Sequence, residues 1–220
     1  MKFDLDEFVN KGTQTLKEMA NLLKEASSLN SDELDVDETA LIVIDMINGF
    51  AREGALKSER VEVLIPVVAK LMEKMKDLPI IVFADSHPAD APEFRVYPSH
   101  CLEGTSESQV VDELKEVASY QLITKNSTNG FLAEDFQSWL AEKQQIKNFI
   151  VIGDCTDICI YQFAVTLKAY FNEKNENSRV IVPMNAVDTF DLGLHHADLM
   201  NVVLLCSMKD NGVEVVAEIH

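Results

Sequence analysis

Along the chain, short and almost wholly apolar runs alternate with longer stretches in which apolar residues recur every three or four positions. The short runs fall at residues 40–44, 79–84, 121–124, 148–152, 179–182 and 202–205. Apolar runs without polar alternation, bounded by polar residues, suit strands covered on both faces of a parallel sheet. The stretches of helical period fall at 59–75, 108–116, 133–142 and 157–171. Strand and helix in alternation predict a doubly wound α/β domain, a mostly parallel sheet of about six strands with helices on both faces. In such a sheet ligands gather beyond the carboxyl ends of the strands, so that rim is where chemistry is sought.

The beginning of the chain has a different pattern. Residues 3–30 carry Phe8, Leu16, Met19, Leu22 and Leu23 among Lys and Glu, which predicts an amphipathic helix whose apolar stripe covers either its own sheet or a neighbouring subunit. The segment SLNSDELDVDE that follows is polar and acidic and reads as a linker with no face to bury. The expected organisation is a helical extension and linker over 1–38, then the α/β domain over 39–220.

Composition narrows the function classes. With 220 residues, 47% of them hydrophobic, and only eight Gly and six Pro, the chain can fill a core, which excludes disordered and collagen-like readings. A formal charge of -18 repels phosphate backbones and anionic lipid headgroups, so nucleic acid and membrane surfaces are excluded as partners. No apolar run approaches the roughly 20 residues of a membrane span. The acidic start MKFDLDEFVN lacks the basic and apolar regions of a signal peptide, and a cytoplasmic protein is expected. Cys101, Cys155, Cys159 and Cys206 are then reduced thiols rather than a disulfide framework. Homo-oligomerisation stays open.

The predicted strand ends carry ionisable groups. The first ends at Asp45, the second at Asp85 and His87, the third at Lys125, and the fourth runs through Gly153, Asp154, Cys155, Thr156 and Asp157 into a helix that holds Cys159. Taken singly, each has a plain structural reading: an Asp after a strand caps or turns, a Lys is solvated, a Cys packs. A parallel sheet, however, delivers all of them to one rim. There a helix N-terminus and a neighbouring ammonium would lower the Cys159 pKa into the thiolate range at neutral pH. Asp45 could accept and return a proton while Lys125 holds both charges in register. Backbone N–H groups of Cys155 and Cys159 could meet one oxyanion, which makes amide hydrolysis through acyl transfer to sulfur the implied reaction.

A second group is Asp85 and His87, in D-x-H spacing, with Glu93 and His100 in the Pro-rich loop HPADAPEFRVYPSHC. Two carboxylates and two imidazoles suit Zn²⁺, Mn²⁺ or Fe²⁺, while ordinary loop histidines fit the spacing equally well. Cys101 is left out because a thiolate would make a softer site. Cys206 is assigned to the core, His195 and His196 to local structure or substrate access, and Thr156 and Asp157 to capping the helix that presents Cys159.

The elements ALIVIDMINGF, FADSH, YPSHCLEGT, ITKNSTNGF and GDCTDICI, in this order, resemble the isochorismatase-like cysteine hydrolases and, within them, the nicotinamidase/pyrazinamidase branch, over about four-fifths of the chain. The resemblance implies Asp45, Lys125 and Cys159 as catalytic triad, and Asp85, His87, Glu93 and His100 as ligands of one divalent metal ion, zinc ahead of manganese or iron. It implies a cis peptide at Asp154–Cys155, with the Cys155 and Cys159 amides as oxyanion hole, and Phe50 and Tyr97 beside the substrate ring. Ile47 and Gly49 stand where many relatives carry Gln and Asp, a departure expected to touch the substrate pocket. The implied activity is metal-dependent hydrolysis of nicotinamide to nicotinate and ammonia through a thioester, in NAD salvage, with pyrazinamide also accepted. Alternatives are a metal-free hydrolase of another small amide or ureido compound, vinyl-ether hydrolysis without a cysteine nucleophile, against which Cys159 argues, and a non-catalytic binding module that uses the N-terminal helix as its contact.

Overall fold

The computed structural model describes residues 3–220. Its centre is a seven-stranded sheet made of β1 (Thr39–Ile44), β2 (Ile80–Asp85), β3 (Gln121–Lys125), β4 (Asn148–Asp154), β5 (Arg179–Pro183), β6 (Val187–Asp188) and β7 (Glu214–Val216). The order across it is β3-β2-β1-β4-β5-β7, with the short β6 pairing on β4, and every pairing is parallel. The chain winds outward from β1 to β3, returns to the other side of β1 as β4, and winds the opposite way. The topological switch therefore lies between β1 and β4, where a crevice opens at the strands' carboxyl ends.

The helices are α1 (Leu5–Lys24), α2 (Asn48–Ala51), α3 (Glu59–Lys74), α4 (Asp112–Lys115), α5 (Glu134–Glu142), α6 (Tyr161–Glu173) and α7 (Ala197–Asp210). Alternate residues of each central strand feed two separate cores. Ala40, Ile42 and Ile44 of β1 pack with Phe163 and Leu167 of α6 and Phe136 of α5, while Leu41 and Val43 pack with Val68 and Met72 of α3. All six β1 residues are buried, and each large aliphatic side chain so placed contributes roughly 1.5–3 kcal/mol. This two-sided burial is why the strands read as unbroken apolar runs.

The doubly wound fold with its N-terminal helix is as expected, but three local expectations fail. Residues 202–205 are helical, inside α7, and the missing strands are β6 and β7. α7 is sandwiched between the sheet and α1, with Cys206 Sγ 3.8 Å from the Met19 carbonyl, so it is apolar nearly all round and shows no helical period. Cys206 is buried, though on a helix and not at a strand end. Residues 108–116 form only the short α4 after a 3₁₀ turn. The acidic linker does bury a face: Leu29 and Leu34 enter the α3-side core, and the backbone of 27–31 pairs with that of 217–220, as in the 2.9 Å bond from the Leu29 N–H to the Glu218 carbonyl. The far half of α1 packs on its own domain through Met19 and Leu23, while Phe8 and Val9 are exposed.

At the switch point β1 and β4 approach so closely that only glycine fits. Gly153 pairs with Ile44, has φ +115°, and a Cβ there would lie 2.0 Å from the Ile44 carbonyl oxygen. Gly153→Ala is expected to destabilise the fold by about 3 kcal/mol or more. For a chain of this size that lowers the melting temperature by roughly 10 °C. Thermal unfolding followed by circular dichroism checks this, and an unchanged midpoint would contradict the close approach.

Candidate active site

Three strand ends meet around one ammonium. Lys125, the last residue of β3, places Nζ 2.7 Å from Asp45 Oδ2, against Asp85 Oδ1, and 3.8 Å from Cys159 Sγ. Asp45 follows β1 in a left-handed backbone conformation (φ 56°), and its Oδ1 accepts a 3.1 Å hydrogen bond from the Asp85 N–H, which ties β1 to β2 at the rim. Cys159 lies on a π-helical turn, Thr156–Ile160, that leads from β4 into α6. One carboxylate oxygen each from Asp45 and Asp85 and the Cys159 sulfur lie within 4.8 Å of one another. All four side chains are buried.

Burial decides the proton inventory. Asp45 is pushed up to about 7, by desolvation first and by the neighbouring Asp85 second, with Lys125 opposing both. Desolvation also disfavours a charged Lys125, yet Asp45 and Asp85 together outweigh it and keep the side chain an ammonium. Burial likewise lifts the Cys159 thiol well above its usual range, and Lys125 pulls it back only in part. Burial thus works against the resting thiolate expected from the helix start and the lysine, because no water solvates a charged sulfur here. Asp154, 0% exposed at the end of β4, is similarly held neutral by burial and by Asp45. Nothing in the sequence pattern marked it beyond its position.

Beside this cluster stands a second one. Single ligand atoms of Asp85, His87 and His100 lie within 4.8 Å of one another, all three residues buried. His87 Nδ1 sits 2.7 Å from Asn126 Oδ1 and His100 Nδ1 2.8 Å from the Pro98 carbonyl, oxygens that accept a proton from each Nδ1 and leave each Nε2 for another partner, that of His87 3.6 Å from Asp85 Oδ2. His87 Nε2 is a buried nitrogen with no hydrogen-bond partner. An orphaned lone pair among two further donors is the environment a divalent cation satisfies, and these residues can hold one. Glu93, on the turn Pro92–Arg95, stands slightly apart, with Oε1 4.0 Å from His100 Nε2.

Both clusters open into one pocket of about 260 Å³, lined by Asp85, Glu93, His100, Asp154, Cys155 and Cys159. The expected ring neighbours Phe50 and Tyr97 line it too, joined by Phe190 and Leu192 from a distant turn. Phe94 packs edge-on against both histidine rings, 5.5 Å from each. Those last three, with Asn126, escaped the sequence reading because only the fold brings them here. Cys155 and Cys159 share the pocket and the Asp154–Cys155 peptide is cis. Ile47 and Gly49, expected to touch the pocket, do not line it. Ile47 is core, and Gly49 is pressed so close to Glu107 and Cys101 that a Cβ would lie 2.6 Å from the Cys101 sulfur. Cys101 is buried outside the ligand cluster.

The isochorismatase domain model matches residues 39–216. The chain belongs to the isochorismatase family. Among its relatives, Nicotinamidase 1 of Arabidopsis thaliana is 34% identical over 210 residues, covering 81% of this chain and 85% of that protein. The pyrazinamidase of Pyrococcus horikoshii, crystallised in complex with zinc, superposes with a TM-score of 0.67 at 26% identity, covering 81% of this chain and 98% of its own. The N-carbamoylsarcosine amidase of Thermoplasma acidophilum gives the same TM-score of 0.67 and 26% identity, covering 81% and 95%. The family match and the nicotinamidase relative support an amidohydrolase. Among the described residues no helix is long and apolar enough to cross a membrane.

If the histidine cluster holds a divalent ion, His87→Ala strips it, and Asn126→Ala weakens binding roughly 10- to 100-fold by releasing the ring's orienting acceptor. Metal-to-protein ratios measured by emission spectroscopy check this. An unchanged ratio in the His87→Ala protein would remove the ligand assignment.

Proposed function

We propose that this isochorismatase-family protein hydrolyses nicotinamide to nicotinate and ammonia through a thioester on Cys159, with pyrazinamide as a second substrate and a divalent cation, zinc foremost, held by Asp85, His87 and His100 with Glu93 at its edge. The observation that carries the reading is the shared pocket: Cys159 of the Asp–Lys–Cys cluster and Asp85 and His100 of the histidine cluster line one cavity with aromatic walls. The Pyrococcus relative crystallised with zinc supports the choice of metal, and the Arabidopsis nicotinamidase supports the substrate.

The residues divide the work as follows. Phe50 and Tyr97 flank a planar ring and present its carboxamide carbon to Cys159. As Sγ bonds to that carbon, the thiol proton passes to the Asp45 carboxylate, whose affinity for a proton near pH 7 suits both directions of transfer. The carbonyl becomes an oxyanion, received by the Cys155 and Cys159 amides, each such donor contributing on the order of 10²–10³ in rate. Asp45 then returns its proton to the nitrogen, the C–N bond breaks and ammonia leaves, with the acyl group on sulfur. Water gives a proton to Asp45 and attacks the thioester; the C–S bond breaks, the Asp45 proton goes back to sulfur, and the nicotinic acid released gives up its carboxyl proton to the departed ammonia or to solvent, as nicotinate. Lys125 stays charged throughout and stabilises whichever of Asp45 or Cys159 is anionic. A divalent ion bound at the histidines supplies a Lewis acid suited to an aromatic ring nitrogen, the feature that separates pyridine and pyrazine carboxamides from benzamide. Nicotinate so formed serves NAD salvage in the cytoplasm.

The N-carbamoylsarcosine amidase likeness raises a metal-free ureido hydrolase as the competing reading, which leaves the orphaned His87 nitrogen without a purpose. Ammonia release from nicotinamide, pyrazinamide and N-carbamoyl amino acids, with and without chelator, separates the two: nicotinamide turnover that chelation suppresses is expected, and chelator-insensitive turnover of the ureido compound alone would overturn the proposal. Cys159→Ala is expected to lower nicotinamide turnover by about 10⁴-fold or more while leaving metal content unchanged. Persistent ammonia release by that variant would take Cys159 out of its role.

A further inference from the structure

From sequence His195 is a residue of local structure or access, yet the fold joins it both to a wall of the substrate pocket and to the turn that carries Cys159. It lies on the turn 189–196 between β6 and α7, whose Phe190 and Leu192 wall the pocket. Its Nε2 is 2.7 Å from Asp157 Oδ2, on the same π-helical turn as Cys159 and two residues before it. Its Nδ1 is 2.7 Å from the Phe190 carbonyl, and its ring lies flat on the Phe190 ring, with centroids 4.0 Å apart and planes 7° from parallel. Both ring nitrogens thus face oxygens that can only accept. A neutral imidazole would set one bare lone pair against an acceptor at bonding distance, whereas the doubly protonated ring satisfies both and also places its charge over an aromatic face.

We propose that His195 is a positioning residue of this hydrolase: as an imidazolium bridging Asp157 and the Phe190 carbonyl, it fastens the 189–196 turn, and with it the Phe190 wall of the pocket, to the turn that carries Cys159. The turn's other tie, Asp191 to Arg60 and to the Ala197 N–H, holds it to α3 and α7 and not to the turn that carries Cys159. Leu192 and His195 exchange two backbone hydrogen bonds of 2.9 Å across Gly193, which closes the turn on itself without anchoring it. Leu192 and Leu194 are exposed. The other charged groups nearby are occupied elsewhere. Arg60 of α3 gathers Asp188, Asp198 and, at 3.9 Å, Asp191, whose Oδ1 also caps the Ala197 N–H. His196 Nδ1 accepts from the Leu199 N–H at the start of α7. Asp157 is therefore the one carboxylate that faces the His195 ring, from the nucleophile's own turn.

The sign of the pH effect follows. Burial works against the charged ring, but the Asp157 hydrogen bond and the Phe190 carbonyl more than offset it, so His195 titrates above its ordinary 6.5. The bridge is complete below the unperturbed value and is lost as pH rises through the raised one. Losing it frees the wall, not the triad. KM for nicotinamide then rises with pH while the chemical step is untouched, and this distinguishes His195 from Asp45, whose titration acts on kcat.

This inference deepens the nicotinamidase reading and rests on it for the kinetic arm alone. In the metal-loaded full-length protein, ¹⁵N imidazole spectra at neutral pH should show one histidine protonated at both nitrogens, with the signal lost in His195→Gln. Between about pH 6 and 8.5 the wild-type KM for nicotinamide should climb roughly tenfold, with His195→Gln and Asp157→Asn already at the high value and flat, and kcat within about twofold of wild type. A neutral His195 at pH 7, a KM unmoved by both substitutions, or a loss confined to kcat would each overturn the proposal. Should the wild type release no ammonia from nicotinamide, the substrate assignment fails and the wall is still tested. Alkylation of Cys159 by iodoacetamide, followed by peptide mapping, should run roughly tenfold faster in His195→Gln than in wild type at the same pH, and equal rates would refute the clamp.

Discussion

Everything at the rim depends on one buried ammonium. Lys125 lies between Asp45 and Asp85 with almost no access to water, and it is the common partner of three strand ends and of the nucleophile's sulfur. Moving such charges out of water is expensive, by several kcal/mol per ion, so the arrangement survives only because attraction is local and geometrically good. The balance is incomplete: two carboxylates face a single cation. The surplus negative charge emerges as the raised proton affinity of Asp45. It also makes the adjoining cluster, with Asp85 as a shared member beside two buried imidazoles, a favourable place for a divalent cation. The Asp–Lys–Cys cluster and the histidine cluster are thus one electrostatic unit with Asp85 as its hinge.

That unit is an outcome of topology. A parallel sheet that reverses its winding between β1 and β4 sets the ends of β1, β2 and β3 and the turn after β4 along one crevice, so residues up to about 110 positions apart meet without a long loop. For this reason the strand-end groups Asp45, Asp85, His87, Lys125 and Cys159 were legible in sequence: an apolar run followed by an ionisable residue, repeated, suffices once the fold class is recognised. Local pattern failed where burial is two-sided or sparse. The α7 segment Val202–Val203–Leu204–Leu205 has the β-branched, period-free look of a strand because α1 covers its outer face. Leu29 and Leu34 looked solvated among acids, since nothing local shows that the C-terminal backbone will pair with that segment.

The pocket walls were the least legible part. Phe190 and Leu192 are ordinary loop residues in sequence, and their position over the site follows from how turns far apart in the chain pack at the rim. Asn126, which orients His87, and the His195–Asp157 contact have the same origin. Side chains that react were placed by strand ends, whereas side chains that orient or enclose them were placed by tertiary contact, and no spacing rule reaches the second set. The departures Ile47 and Gly49 teach the converse. Both sit in the first active-site loop by sequence, yet one fills the core and the other lets Cys101 and Glu107 approach, so substrate choice is to be sought in the aromatic walls.

Protonation was the remaining thing the sequence could not display, and it changes how the nucleophile is understood. A helix start and a neighbouring lysine argue for a thiolate, and in a solvated cleft they would produce one. Here the sulfur is nine-tenths or more buried, so desolvation favours the protonated thiol, beside an Asp45 carboxyl whose own hold on a proton burial has raised. A thiol that ionises only when an acyl carbon is in place reacts slowly with oxidants and stray electrophiles, because these attack the thiolate. Enclosure therefore serves two ends: it withholds reactivity until substrate displaces the pocket's water, and it strengthens the field of Lys125 at the moment the charge appears on sulfur. An exposed site with the same three residues would have neither property, which is why the walls matter to the chemistry as well as to recognition.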